Sequence, residues 1–171
     1  MPKGAVKARP AAKKAVKPAK KLAPVPPNMA WVSVYLAVKD AARAVDFYEK
    51  AFGFKRGLSI PGKDGKVMHA EMVYKDCMIM MGPECDVDGM KWKAPVSATG
   101  DATTVTYYVY CEDVDVLCER ARKAGGRVVR EPADQFYGDR NCTIVDPDGH
   151  SWGFATRVKE FDPKDAPANC G

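Results

Sequence analysis

A spacing of 73 residues constrains this chain more than any single motif. Asp40 and Asp113 stand 73 apart, and so do Tyr35 and Tyr108, Gly53 and Gly126, and Asp76 and Gly149. One offset running through strand, cap, stop and turn signals marks an internal repeat. In the first half "WVSVYLAV" alternates as a strand does, and Asp40 suits a helix N-cap. Ala44, Val45, Tyr48, Ala51 and Phe52 then line one helical face, Gly53 stops the helix, and "KVMHAEMVY" with "CMIMMG" reads as a hairpin turning at Lys75–Asp76. The second half repeats the programme. "TVTYYVYC" is a strand, Asp113 a cap, and Val114, Leu117, Cys118 and Ala121 a helical stripe. Gly125–Gly126 stops that helix, and "NCTIV" and "HSWGFAT" flank a "DPDG" turn. Each unit is one strand, one helix and about three strands. Neither unit buries its sheet alone, so the two must pack together. The expected boundaries are a domain over 29–160, with module one at 29–82, a connection at 83–103 and module two at 104–158.

The flanks differ in kind. Residues 1–27 hold seven Lys, one Arg and no acid, so a chain of net charge +5 leaves −3 for the rest. This Lys/Ala/Pro-rich stretch cannot build a core and reads as a disordered tail over 1–28. Its charge suits polyanion or nucleic-acid contact through residues 3–21, organellar or nuclear targeting, or simple solubility. Residues 161–171 read as a short C-terminal tail. Six cysteines without a C-x-x-C pair, several inside apolar runs, argue for free thiols in a reducing compartment. No apolar run reaches the roughly 20 residues of a membrane span, and no secretory h-region opens the chain. The expected location is therefore cytoplasmic.

The duplicated βαβββ pattern, with "VYLAVKDAARAVDFYEKAFGF", "ERARKAGGRVV" and "DQFYGDRNCTIVDPDGHSWGFAT", resembles the vicinal oxygen chelate superfamily of glyoxalase, bleomycin-resistance and dioxygenase proteins. The last string is most similar to an uncharacterised glyoxalase-like branch. The resemblance implies an α+β fold in which two βαβββ modules form a cupped mixed sheet, with helices on the convex side and a pocket on the concave side. Metal-dependent members set one ligand on the first strand and one on the last hairpin strand of each module. Carried over by position, those four sites fall on Ser33, Met80, Thr106 and Gly153. Zinc, nickel or iron calls for imidazole, thiolate or carboxylate donors, so no metal and no other cofactor is expected.

Other residues are weaker candidates for a metal. His69 and Glu71 are two apart in a strand and share a face, and with His150 they offer three donors. His150 falls on the face of Trp152, opposite Gly153, and so away from the pocket. "DVDG" and "DPDG" lack the spaced ligands of a calcium loop and read as turns. Strand parity sets Ser33, Tyr35 and Ala37 with Thr104, Thr106, Tyr108 and Tyr110 on the concave side, where Gly153 and Ala155 leave space. Tyr137, Arg140 and Cys142 lie on the signature loop and its strand; Asp139–Arg140 also reads as a structural ion pair. Trp152 and Phe154 should face the helices.

The expected ligand-binding set is thus Ser33, Tyr35, Met80, Thr106, Tyr108, Tyr137, Arg140, Cys142 and Gly153. Aromatic faces beside an Arg suit a small aromatic or anionic molecule. The reading is a metal-free binding or sequestering protein, and the resemblance suggests a homodimer. The alternatives are an enzyme of the superfamily (lyase, isomerase or dioxygenase) with relocated catalytic residues, or an interaction module docked by its basic tail.

Overall fold

A computed structural model describes residues 23–26, 29–100 and 102–166. The basic stretch 3–21 and the last residues of the C-terminal tail lie outside the described residues. Module one runs β1 (Val34–Val38), α1 (Ala41–Phe52), β2 (Lys55–Pro61), β3 (Val67–Tyr74) and β4 (Cys77–Pro83). Module two runs β7 (Thr106–Tyr110), α3 (Val114–Lys123), β8 (Arg127–Asp134), β9 (Asp139–Val145) and β10 (Ser151–Arg157). The connection is a small hairpin, β5 (Cys85–Val87) and β6 (Met90–Trp92), followed by one helical turn, α2 (Pro95–Ala98). It is not a bare linker, because "DVDG" forms its turn with Asp88 and Gly89 at φ 51° and 80°.

The strand orders β1-β4-β3-β2 and β7-β10-β9-β8 are identical, as duplication requires. In each, β1 or β7 runs parallel to the last hairpin strand and the remaining pairings are antiparallel. The eight strands form two separate four-stranded sheets rather than one continuous ladder, so β1 and β7 are edges.

Both helices start where the sequence says. Asp40 Oδ1 accepts from the Ala42 and Arg43 amides, and Asp113 Oδ1 accepts from the Val116 amide. Gly53 ends α1 at φ 74° with its amide on the Glu49 and Tyr48 carbonyls. The second stop sits one residue earlier than the repeat predicts. Gly125 takes the left-handed conformation at φ 99°, while Gly126 packs against Ile144 and Phe47.

Alternation then separates two faces on each sheet. Leu36, Val38, Ala70, Met72, Ile79 and Met81 of sheet one, with Cys142, Ile144, Trp152 and Phe154 of sheet two, join the buried faces of α1 and α3 in a single core. Trp152 stands 5.4 Å from the rings of both Tyr48 and Phe52, so the core crosses the module boundary. The opposite face of each sheet is open, with Tyr35, Tyr108 and Tyr110 about half exposed.

Candidate functional site

The "DPDGHSW" segment forms a clamp between the modules. Asp146 Oδ1 accepts from the amides of Asp148 and His150, closing the turn, and Oδ2 accepts from Tyr48 Oη at 2.6 Å and Trp152 Nε1 at 2.9 Å. Asp148 accepts from the Lys39 amide at 2.8 Å. His150 is buried and its Nε2 donates to the Ala37 carbonyl at 2.8 Å. Tyr48, Lys39 and Ala37 all belong to module one. Burial and the Asp146 carboxylate hold the Tyr48 phenol far above its ordinary pKa, and burial raises the carboxyl of Asp148. The duplication supplies the reciprocal bonds, with Tyr74 Oη donating to the Tyr110 carbonyl and Lys75 paired to Glu112.

On module two, the open face carries Tyr108, Tyr110, Asp139 and Asn141. Asp139 is almost fully buried and accepts from Tyr108 Oη at 2.8 Å and Tyr110 Oη at 3.0 Å. Asn141 is fully buried; its Nδ2 meets Tyr137 Oη at 2.6 Å and Tyr108 Oη at 3.3 Å, while its Oδ1 has no hydrogen-bond partner. Burial first, and then the bond to Asp139, push the Tyr108 phenol well up. Thr106 Oγ1 donates to Ser151 Oγ at 3.1 Å on the same face.

The open face of module one carries Tyr35, His69, Glu71 and Met80. Tyr35 lies opposite Met80 across β1–β4, and Met80 lies opposite Glu71 across β4–β3. Tyr35 Oη is 2.9 Å from His69 Nδ1, and His69 Nε2 is 3.4 Å from Glu71 Oε1. Trp92 packs edge-on to Tyr35 at 5.2 Å between centroids, bringing the β5–β6 hairpin over this face.

Of the nine expected residues, Tyr35, Met80, Thr106, Tyr108 and Gly153 fall on the open faces, and Tyr137 joins them through Asn141. Three fall elsewhere. Ser33 precedes β1 and its Oγ donates to the Ala30 carbonyl. Arg140 and Cys142 lie on the helix side, because β9 alternates and it is Asp139, Asn141 and Thr143 that face outward. Arg140 grips Asp115 of α3 with two bonds of 2.7 Å and also reaches Asp134; its partner is not Asp139. Cys142 sits in the core beside Cys118, its thiol pushed up to about 12, chiefly by burial. Asp139 and Asn141 were overlooked as site residues, although counting by twos from Gly153 across the DPDG turn would have selected them.

Of the four positions where the resemblance expects metal ligands, none carries an imidazole, a thiolate or a carboxylate. Ser33 is outside the sheet, Met80 offers a thioether, Thr106 a hydroxyl and Gly153 nothing. At Gly153 a Cβ would stand 3.2 Å from Cδ2 of Tyr108, so the tyrosine ring covers the place where a ligand side chain would begin. Among the described residues no three His, Cys, Asp or Glu side chains gather as a metal site. His69 and Glu71 are a pair without a third donor.

Two βαβββ modules that share one hydrophobic core, each exposing a polar aromatic sheet face, define a duplicated open-sheet fold. The sequence profile of the glyoxalase/bleomycin resistance protein/dioxygenase superfamily matches residues 29–154, and the chain belongs to that superfamily. An uncharacterized protein of Mycobacterium bovis is 38% identical over 132 residues, covering 77% of this chain and 86% of that one. The crystal structure of TioX from Micromonospora sp. ML1 is 30% identical with a TM-score of 0.58, covering 74% and 97% of the two chains. TnmS3, described as an antibiotic binding protein from Streptomyces sp. CB03234, shares the fold at 24% identity and a TM-score of 0.51, covering 76% and 99%. Among the described residues no helix is long and apolar enough to cross a membrane.

Proposed function

We propose that this chain binds a small, flat, aromatic or anionic molecule on the open faces of its sheets without a metal ion. The observation that carries this reading is Gly153 beneath the ring of Tyr108. The resemblance puts a metal ligand of metal-dependent relatives at this position; here there is no side chain, and the Tyr108 ring lies 3.2 Å from where a Cβ would stand. Tyr35, Tyr108 and Tyr110 supply half-exposed ring faces, the surface that stacks on flat molecules. The fold serves binding as well as catalysis in other chains, as the TnmS3 description illustrates.

A second copy of the chain closes the site in this reading. The open faces are surfaces rather than cavities, and β1 and β7 are unpaired edges of their sheets. A cleft of about 500 Å³ lies on the helix side beside Tyr74 and Arg120, and one of about 550 Å³ lies beside Met29, Val73 and Met78 at the hairpin end of the module-one sheet.

The test uses 1-anilinonaphthalene-8-sulfonate, a flat aromatic anion, with fluorescence and light scattering. Saturable binding by a particle of twice the chain mass, unchanged by EDTA and weakened by Tyr108→Ala or Tyr35→Ala, supports the reading. A stoichiometric transition metal whose removal abolishes binding overturns it.

A further inference from the structure

The two open faces are copies that have diverged, and one difference falls on the residue that meets the first-strand tyrosine. Tyr35 and Tyr108 correspond through the 73-residue offset, and so do Gly82 and Ala155. Asn141 pairs with Ala155 across β9–β10. His69, two residues along β3 from the Glu71–Met80 pair, stands opposite Gly82. His69 is therefore the counterpart of Asn141, and each meets the hydroxyl of its module's tyrosine, at 2.9 Å in module one and 3.3 Å in module two. The geometry was duplicated, but the counterpart residue is an imidazole in module one and an amide in module two, where the carboxylate beside Tyr108 is Asp139. An imidazole is a base near neutral pH, whereas an amide only forms hydrogen bonds.

The module-one copy is also extended. In the tautomer that accepts from Tyr35 at Nδ1, the ring hydrogen sits on Nε2 and faces the Glu71 carboxylate at 3.4 Å. Glu71 corresponds to Thr143 in module two, since they pair with Met80 and Gly153, which are 73 apart. The carboxylate thus stands only behind the imidazole, where it orients the ring and stabilises the imidazolium that forms on proton uptake. Trp92 packs edge-on to the tyrosine and Met80 lies opposite it across β1–β4, leaving about half of the ring open to a ligand.

We infer that Tyr35, His69 and Glu71 form a proton relay that abstracts a proton from a flat carbon acid lying on the module-one face. The Tyr35 oxygen takes the substrate proton as its own hydrogen passes to His69 Nδ1, and Glu71 balances the imidazolium charge. The electron pair of the broken C–H bond stays with the substrate. Afterwards the imidazolium returns its proton to solvent, so no oxidant, reductant or metal takes part. Tyr35 is the catalytic residue; His69 and Glu71 act through it as positioning residues. This rests on the ligand face proposed above, and adds chemistry to binding.

The probe is 5-nitrobenzisoxazole with the full chain. Loss of its C3 proton forms the nitrile and breaks the N–O bond, releasing a coloured 2-cyano-4-nitrophenolate. The relay predicts saturable turnover above buffer that survives EDTA. His69→Asn makes module one a copy of the Tyr108–Asn141 pair, so KM should stay within about twofold while kcat falls about 100-fold, a loss typical of a general base. Tyr35→Phe should do the same. Saturable binding of the probe without turnover, or turnover indifferent to His69→Asn and Tyr35→Phe, overturns the relay but leaves the binding reading intact. No binding of this probe or of anilinonaphthalene sulfonate overturns both. Thermal melts of each variant report folding, and Glu71→Gln, which keeps the side chain's shape, gives a second route to the kcat loss if His69→Asn unfolds.

Discussion

Asp146 shows how much one carboxylate can organise. Its two oxygens accept from two turn amides, one phenol and one indole, all buried. Removing it strands those donors, each at a cost of about 1–3 kcal/mol. Asp146→Ala should therefore destabilise the domain by roughly 3 kcal/mol or more in urea unfolding, and Asp146→Asn by less. The phenols give a pH signature. Tyr48 and Tyr108 hold their protons above the ordinary range, so above about pH 10 the unfolded chain loses protons that the folded chain keeps. Stability should fall as pH rises past that point, and Tyr48→Phe should flatten the slope measured by urea midpoints between pH 8 and 11. The cysteines divide by burial. Exposed Cys77 should react with a disulfide reagent in the native protein, whereas Cys142, its thiol held near pH 12, should react only on unfolding.

At the level of elements, helices and their caps were legible because their signals are local. Asp40, Asp113 and Gly53 each act through bonds within a few residues, and the repeat confirmed each reading with a second. Asp40→Ala should cost about 1 kcal/mol in the same unfolding assay. The strands were legible as strands, but which face each residue takes depends on register across a turn. Parity along β10 is legible from DPDG, which sends Trp152 and Phe154 to the core and Gly153 to the open face. On β9 the same parity runs through the hairpin, so Arg140 and Cys142 face the helices while Asp139 and Asn141 face outward, against the expectation for Arg140 and Cys142. Likewise, the partner of Arg140 is 25 residues away on α3, a distance no local pattern reveals. His150 fell on the face expected, but its bond to Ala37, 113 residues away, comes only from packing.

The whole molecule is a pair of like halves tied by unlike bonds. Module one's β1 end meets the acidic turn of module two, while module two's β7 end meets Tyr74 and Lys75 of module one. Each half completes the other's core, so a fragment of residues 29–82 alone should show no cooperative thermal transition, and mixing it with residues 83–166 should restore one by circular dichroism. Duplication also limits what the sequence reveals about the site: His69 and Asn141 are 72 apart rather than 73, so their correspondence appears only in the strand registers. The glycine under Tyr108 ties two positions of the open face together. A Cβ introduced at 153 would stand 3.2 Å from Cδ2 of Tyr108, whose hydroxyl is bonded to Asp139, so the ring must give by a few tenths of an ångström against that bond. A change at 153 is therefore felt at Tyr108 and Asp139, and the three residues vary as one unit.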